Sequence, residues 1–185
     1  MDSLNLPWLV PAAPDFQAAV RGLRQTQTLD TQAFRRLAST SLNLQQLTAL
    51  ARALPRDRSG LPKGNLLLRV LSNATTDLML PALCATAPRH ALWLVASAPA
   101  FGTYAQEALD PQSATNSERD GAVLLAMDHR AFDLQPSPGQ VDLANSRVDF
   151  ALGSLLGMAN SLQQSHGRIV ILQTLAAVPE PLFGN

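Results

Sequence analysis

The chain has 185 residues, 46% hydrophobic and 15% charged, with fourteen Lys and Arg against fourteen Asp and Glu and a formal net charge of zero. That length carries one domain with a full core, or one domain and an appendage. The balanced charge, with no Lys/Arg run, argues against nucleic acid or an anionic membrane as partner. One cysteine excludes an intramolecular disulfide, and with three scattered histidines it argues against a zinc cluster.

The start, Met1 to Pro11, has an acidic head, no basic region, and prolines that break its apolar run. No stretch reaches the roughly 18 apolar residues of a membrane span, so the expected location is cytoplasmic. Residues 12–56 then read as helical. Asp15 precedes Phe16, Ala19, Val20 and Leu23 at helical spacing. Asp30 or Thr31 caps a second helix bearing Phe34, Leu37 and Ala38. Asn43 caps a third, with Leu44, Leu47, Leu50, Ala51 and Leu54 as its stripe and Pro55 as its stop. A polar stretch, 56–65, reads as a linker.

After it, short apolar runs alternate with amphipathic stretches. Strands are expected at Leu66–Leu71, Ala91–Ala96, Gly121–Met127 and Arg168–Gln173. Helices are expected at Thr75–Ala87, closed by Pro88, and at Val141–Ser165, whose apolar residues include Leu143, Val148, Phe150, Leu152, Leu155, Leu156, Ala159 and Leu162. Between the second and third strands, Ser97 to Asp120 reads as a long loop, often a functional feature. Near-continuous apolar strands suit a parallel sheet covered on both faces, and their alternation with helices implies a doubly wound α/β fold. The division expected is a helical region, 1–60, and an α/β domain, 61–185.

In such sheets ligands bind beyond the carboxyl ends of the strands. That edge collects Ser72, Asn73, Thr75 and Thr76, then Ser97 to Tyr104, then Asp128, His129 and Arg130, then Gln173 and Thr174. A serine between a buried strand and a helix start suits a nucleophilic hydroxyl, because free helix N–H groups stabilise an oxyanion. The same residues, Ser72, Asn73, Thr75 and Asp77, are equally the ordinary residues of a turn and cap. Gly102 offers a backbone N–H to an anion or simply a positive-φ turn. His129 is the one histidine on this edge and thus the candidate base for Ser72, or part of a surface cluster with its neighbours. His90 and His166 follow helix ends, and Cys84 reads as a core residue. No phosphate loop, zincin motif, dinucleotide fingerprint or Asp-x-Asp-x-Thr/Val signature is present, so no metal or cofactor is expected.

Leu71-Ser72-Asn73-Ala74-Thr75, the run Ala100 to Glu107, Leu109-Asp110-Pro111-Gln112-Ser113, Val123 to Arg130, and the closing Pro179-Glu180-Pro181-Leu182-Phe183-Gly184-Asn185 resemble, in order and spacing, the N-terminal region of FkbH-like proteins. The resemblance implies a three-layer, flavodoxin-like and SGNH-hydrolase-like parallel sheet with an N-terminal helical appendage, set before a haloacid-dehalogenase (HAD) type domain. It implies a place in enzymes that load a glyceryl unit onto an acyl carrier protein in polyketide and related natural-product biosynthesis. Partners would be the carrier protein, the HAD-type domain and a small acyl or glyceryl ligand.

The SGNH pattern is altered here. The nucleophile turn is Leu71-Ser72-Asn73 rather than Gly-Asp-Ser. Gly102 matches the block glycine, and Asp128 stands where the block asparagine falls. The Asp-x-x-His motif follows a fifth strand in that family, and this sequence ends before it, so the domain reads as truncated before its last strand and helix. The expectation is therefore a non-hydrolytic accessory domain with a ligand edge of Asn73, Thr75, Gly102, Asp128 and Arg130. The alternatives are an esterase or acyltransferase with Ser72 as nucleophile and His129 as base, and a non-catalytic interaction module.

Overall fold

The computed structural model describes residues 8–26, 28–55, 58–132, 134 and 138–175. The chain forms two compact units, Met1–Leu67 with Thr76–Ala96, and Leu68–Thr75 with Ser97–Asn185. The closing motif Pro179–Asn185 and the linker residues Arg56 and Asp57 lie outside the described residues.

The first unit is built on α1 (Phe16–Gln25), α2 (Thr31–Ala38) and α3 (Leu44–Ala51). Phe16, Val20 and Leu23 recur at helical spacing and are buried. The cap of α2 is Asp30, whose Oδ1 accepts from the N–H groups of Gln32 at 3.1 Å and Ala33 at 2.9 Å. Asn43 and Gln46 form a reciprocal capping box, each side-chain oxygen accepting the other's backbone N–H at 2.9 Å. A short parallel pair that the pattern does not announce, β1 (Val10–Pro11) with β2 (Thr40–Ser41), places residue 10 opposite residue 40. Two residues per strand are too few to show any alternation.

α4 (Met79–Thr86) starts later than the expected Thr75. Residues 73–74 are bend, 75–76 irregular and 77–78 turn, and the Thr76 carbonyl takes the first helical N–H groups, Met79 and Leu80. Pro88 does not stop the helix from outside; it opens a 3-10 turn, Ala87–His90, where its missing N–H costs nothing. Ala91 then sits at φ 59, so the next strand begins at Leu94 rather than Ala91. In the core of this unit, Phe34 meets Trp93 with ring centroids 5.5 Å apart and planes at 58°. Leu61, from the stretch expected as linker, is buried in the same core.

The sheet runs through β3 (Leu66–Ser72), β4 (Leu94–Ser97), β5 (Ala122–Ala126) and β6 (Ile169–Leu172). In the second unit β3 pairs in parallel with β5, and β5 with β6. The consecutive residues Val70 and Leu71 are both fully buried. Successive side chains point to opposite faces, so β3 is covered on both, as the middle layer of a three-layer α/β fold requires.

The segment expected as one long loop holds two short helices, α5 (Tyr104–Leu109) and α6 (Ala114–Ser117). Each is too short to display a periodic stripe. α7 (Val141–His166) ends at Gly167, whose φ of 64 suits the left-handed cap. It buries Ala151, Met158 and Leu162, with Leu155 and Ala159 packed beside them. Its other apolar residues are not core: Val148, Phe150, Leu152 and Leu156 are 49–68% exposed. Among the described residues no helix is long and apolar enough to cross a membrane.

Candidate functional site

The carboxyl ends of β3 and β5 lie side by side, with Ser72 opposite Ala126 in the register. The residues that follow them therefore share one edge. Asn73 and Asp128 grip each other: Asn73 Nδ2 donates to Asp128 Oδ1 at 2.6 Å, and the Asp128 N–H donates to Asn73 Oδ1 at 3.0 Å. Arg130 closes back on the same carboxylate, with Nε at 3.0 Å and Nη2 at 2.6 Å from Oδ2 and its backbone N–H at 2.9 Å from Oδ1. The Arg130 guanidinium, then the Asn73 amide, hold the Asp128 carboxyl down to about 2. Asp128 is thus an ionised anchor rather than a proton donor at neutral pH. Arg130 is largely exposed and keeps donors toward solvent.

Ser72 stands next to this cluster, with its Oγ accepting from the Ala74 N–H at 3.0 Å. That is a local serine turn. α4 begins only at Met79, so the helix N-terminus expected to activate Ser72 does not adjoin it. His129 lies in a 3-10 turn, His129–Phe132, and no hydrogen bond joins it to Ser72 among the described residues. Thr75 is exposed on the turn. Gly102 has φ 81, and a Cβ placed there would meet nothing within 4 Å, so glycine is required by the backbone angle rather than by a close approach. The structure thus joins Asn73, Asp128 and Arg130 into one cluster beside Ser72. Among the described residues no hydrogen bond brings Thr75, Gly102 or His129 into it. No three His, Cys, Asp or Glu side chains gather as a ligand set among the described residues.

A second polar cluster was not among the expected site residues. Arg69, in the middle of β3, donates from Nε to Thr115 Oγ1 at 3.2 Å and from Nη1 to Ser97 Oγ at 3.1 Å. Glu107 faces it across 3.7 Å and accepts from both the N–H and the hydroxyl of Thr115. Buried Asn116 ties the same segment down through the carbonyls of Ala108 and Asp110, and accepts from Ser165 Oγ on α7. The signal was legible: an arginine inside an apolar strand must find partners or cost stability.

No protein-family model matches the chain, and no curated protein matches it in sequence. Among solved structures it is similar to the N-terminal part of the protein BF1531 from Bacteroides fragilis, described as containing a phosphatase domain and as complexed with Mg. The TM-score is 0.54 at 16% identity, over 78% of this chain and 36% of that one. The chain thus spans little more than a third of that protein's solved length. At this identity the likeness speaks to the α/β fold alone.

Proposed function

We propose that this chain is an SGNH-like accessory domain of an FkbH-type enzyme. It binds and positions a glyceryl or acyl group, or the acyl carrier protein that bears one, for a HAD-type domain that does the loading chemistry. The observation that carries this reading is the Asn73–Asp128–Arg130 cluster beside Ser72. It is a preorganised polar edge with a guanidinium open to solvent, and no base is hydrogen-bonded to the serine. An exposed arginine held by its own carboxylate presents its remaining N–H donors to an anion such as a phosphorylated glycerate. The fold likeness to a protein that contains a phosphatase domain supports the pairing with such a domain.

The rival reading is a hydrolase or acyltransferase with Ser72 as nucleophile, which requires an activating base. One experiment separates them. The folded chain is treated with a fluorophosphonate and its intact mass is read, with Ser72→Ala as control, and phosphoglycerate binding is measured by calorimetry. The accessory reading expects no adduct, and binding that Arg130→Ala weakens by about tenfold. An adduct lost in Ser72→Ala, or phosphoglycerate binding indifferent to Arg130, overturns it.

A further inference from the structure

The first unit carries an open cleft of about 790 Å³, within the usual 300–1,000 Å³ of small-molecule sites. Leu54, just past α3, Leu80 and Pro81 of α4, and Val95 of β4 give it apolar walls. Its charges are unequal: Arg24 and Arg52 line it against the single acid Asp77. The same two arginines, with Thr48 and Leu78, also line an adjoining hollow of about 460 Å³, where Arg21 adds a third guanidinium. Arg24 uses Nη2 on the Ala49 carbonyl at 2.8 Å, which fixes its position and leaves other donors. Arg52 is exposed, and its guanidinium has no hydrogen-bond or ion-pair partner among the described residues.

From this arrangement we infer that the cleft binds an amphiphilic anion, an alkyl chain ending in a carboxylate or phosphate. The chain lies against the apolar walls, and the head group is held by Arg52 and Arg24. Neither half of that ligand suffices. Apolar walls give an inorganic anion nothing to displace water from, and an uncharged alkyl chain leaves the guanidiniums without a partner. The cleft shares no lining residue with the Ser72 edge and does not rest on the reading of that edge.

Cys84 provides a reporter inside the cleft. It is the only cysteine of the sequence, and burial pushes its thiol up, so alkylation at neutral pH is slow. Decanoate and decyl phosphate, below their micellar concentrations, are titrated calorimetrically and as protectants against maleimide labelling of Cys84. Decanol and inorganic phosphate are the controls. Both amphiphilic anions are expected to bind and to slow labelling about fivefold at ligand about fourfold above Kd, where the site is about four-fifths occupied. Decanol is expected to bind about tenfold more weakly, and phosphate not at all. Arg52→Glu, at an exposed position, is expected to weaken both anions by about tenfold or more, whereas Arg35→Glu, outside the cleft, leaves them unchanged. Binding of decanol equal to decanoate, unprotected Cys84, or an undiminished Arg52→Glu variant overturns the proposal. Tighter binding of one head group than the other assigns the natural anion.

Discussion

The two units use apolar residues differently. In the first, the helical stripes of α1, α2 and α3 bury Phe16, Phe34 and Leu50 almost completely, and of the expected stripe residues only Ala19 and Leu44 stay exposed. In the second, α7 has one buried face and a run of exposed apolar residues besides, while Ile169, Ile171 and Leu172 of β6 are also open. The stripes read alike in sequence. Periodicity declares that a face is apolar; only the neighbouring elements decide whether it is covered.

Substitutions that probe each unit should differ accordingly. The largest effect is expected for Phe34→Ala, which empties a fully buried site against Trp93 and should cost about 3–5 kcal/mol in urea unfolding. Glu107→Ala should cost about 1–3 kcal/mol in the same assay, because it strips partners from Thr115 and from the half-buried Arg69. Equal losses for the two variants would show that the polar network matters as much to the second unit as the aromatic core does to the first. Asn43→Ala removes one half of a capping box on α3 and should cost about 1 kcal/mol.

Arg130→Ala is expected to leave stability nearly unchanged, since the pair is open to solvent. Its signature is a titration. The Asp128 carboxyl is depressed to about 2 from 3.8, so its contribution is complete above 3.8 and is lost as pH falls through about 2. Carbon-13 NMR of the carboxyl should show that midpoint in the parent and a rise toward 3.8 in the variant. An unmoved midpoint would remove Arg130 from the cluster. The smallest effect is expected for Leu152→Ser, within about 0.5 kcal/mol because the side chain is already in water. A loss of several kcal/mol would mean that this face of α7 is covered in solution.

Much of the fold was readable because local chemistry specified it. Asp30 and Asn43 cap where a short polar side chain precedes an apolar stripe, and Leu66–Leu71 and Val123–Leu125 are too apolar for anything but a buried strand. What differed depended on turn geometry, on elements too short for a period, and at the site on a partner distant in sequence. Thr75 and Asp77 look like helix caps, yet the carbonyl of Thr76 starts α4 at Met79. α5 and α6 show too little periodicity to be seen, and the side chain of Glu107 holds them through Thr115. At the candidate site, residue type placed Asn73 and Asp128 on one edge. Their mutual grip joins positions 55 apart in sequence and needs the β3–β5 register to be seen.

The path of the backbone has a consequence for inheritance. The chain passes from one unit to the other after Leu67, returns at Thr76, and leaves again after Ala96. No single recombination point along the gene would therefore part the two units with both left whole. A break at residue 60, where composition changes most visibly, would part Phe34 from Trp93 and Leu50 from Ala85, members of one core. By a single crossover, the two units can be exchanged intact only together.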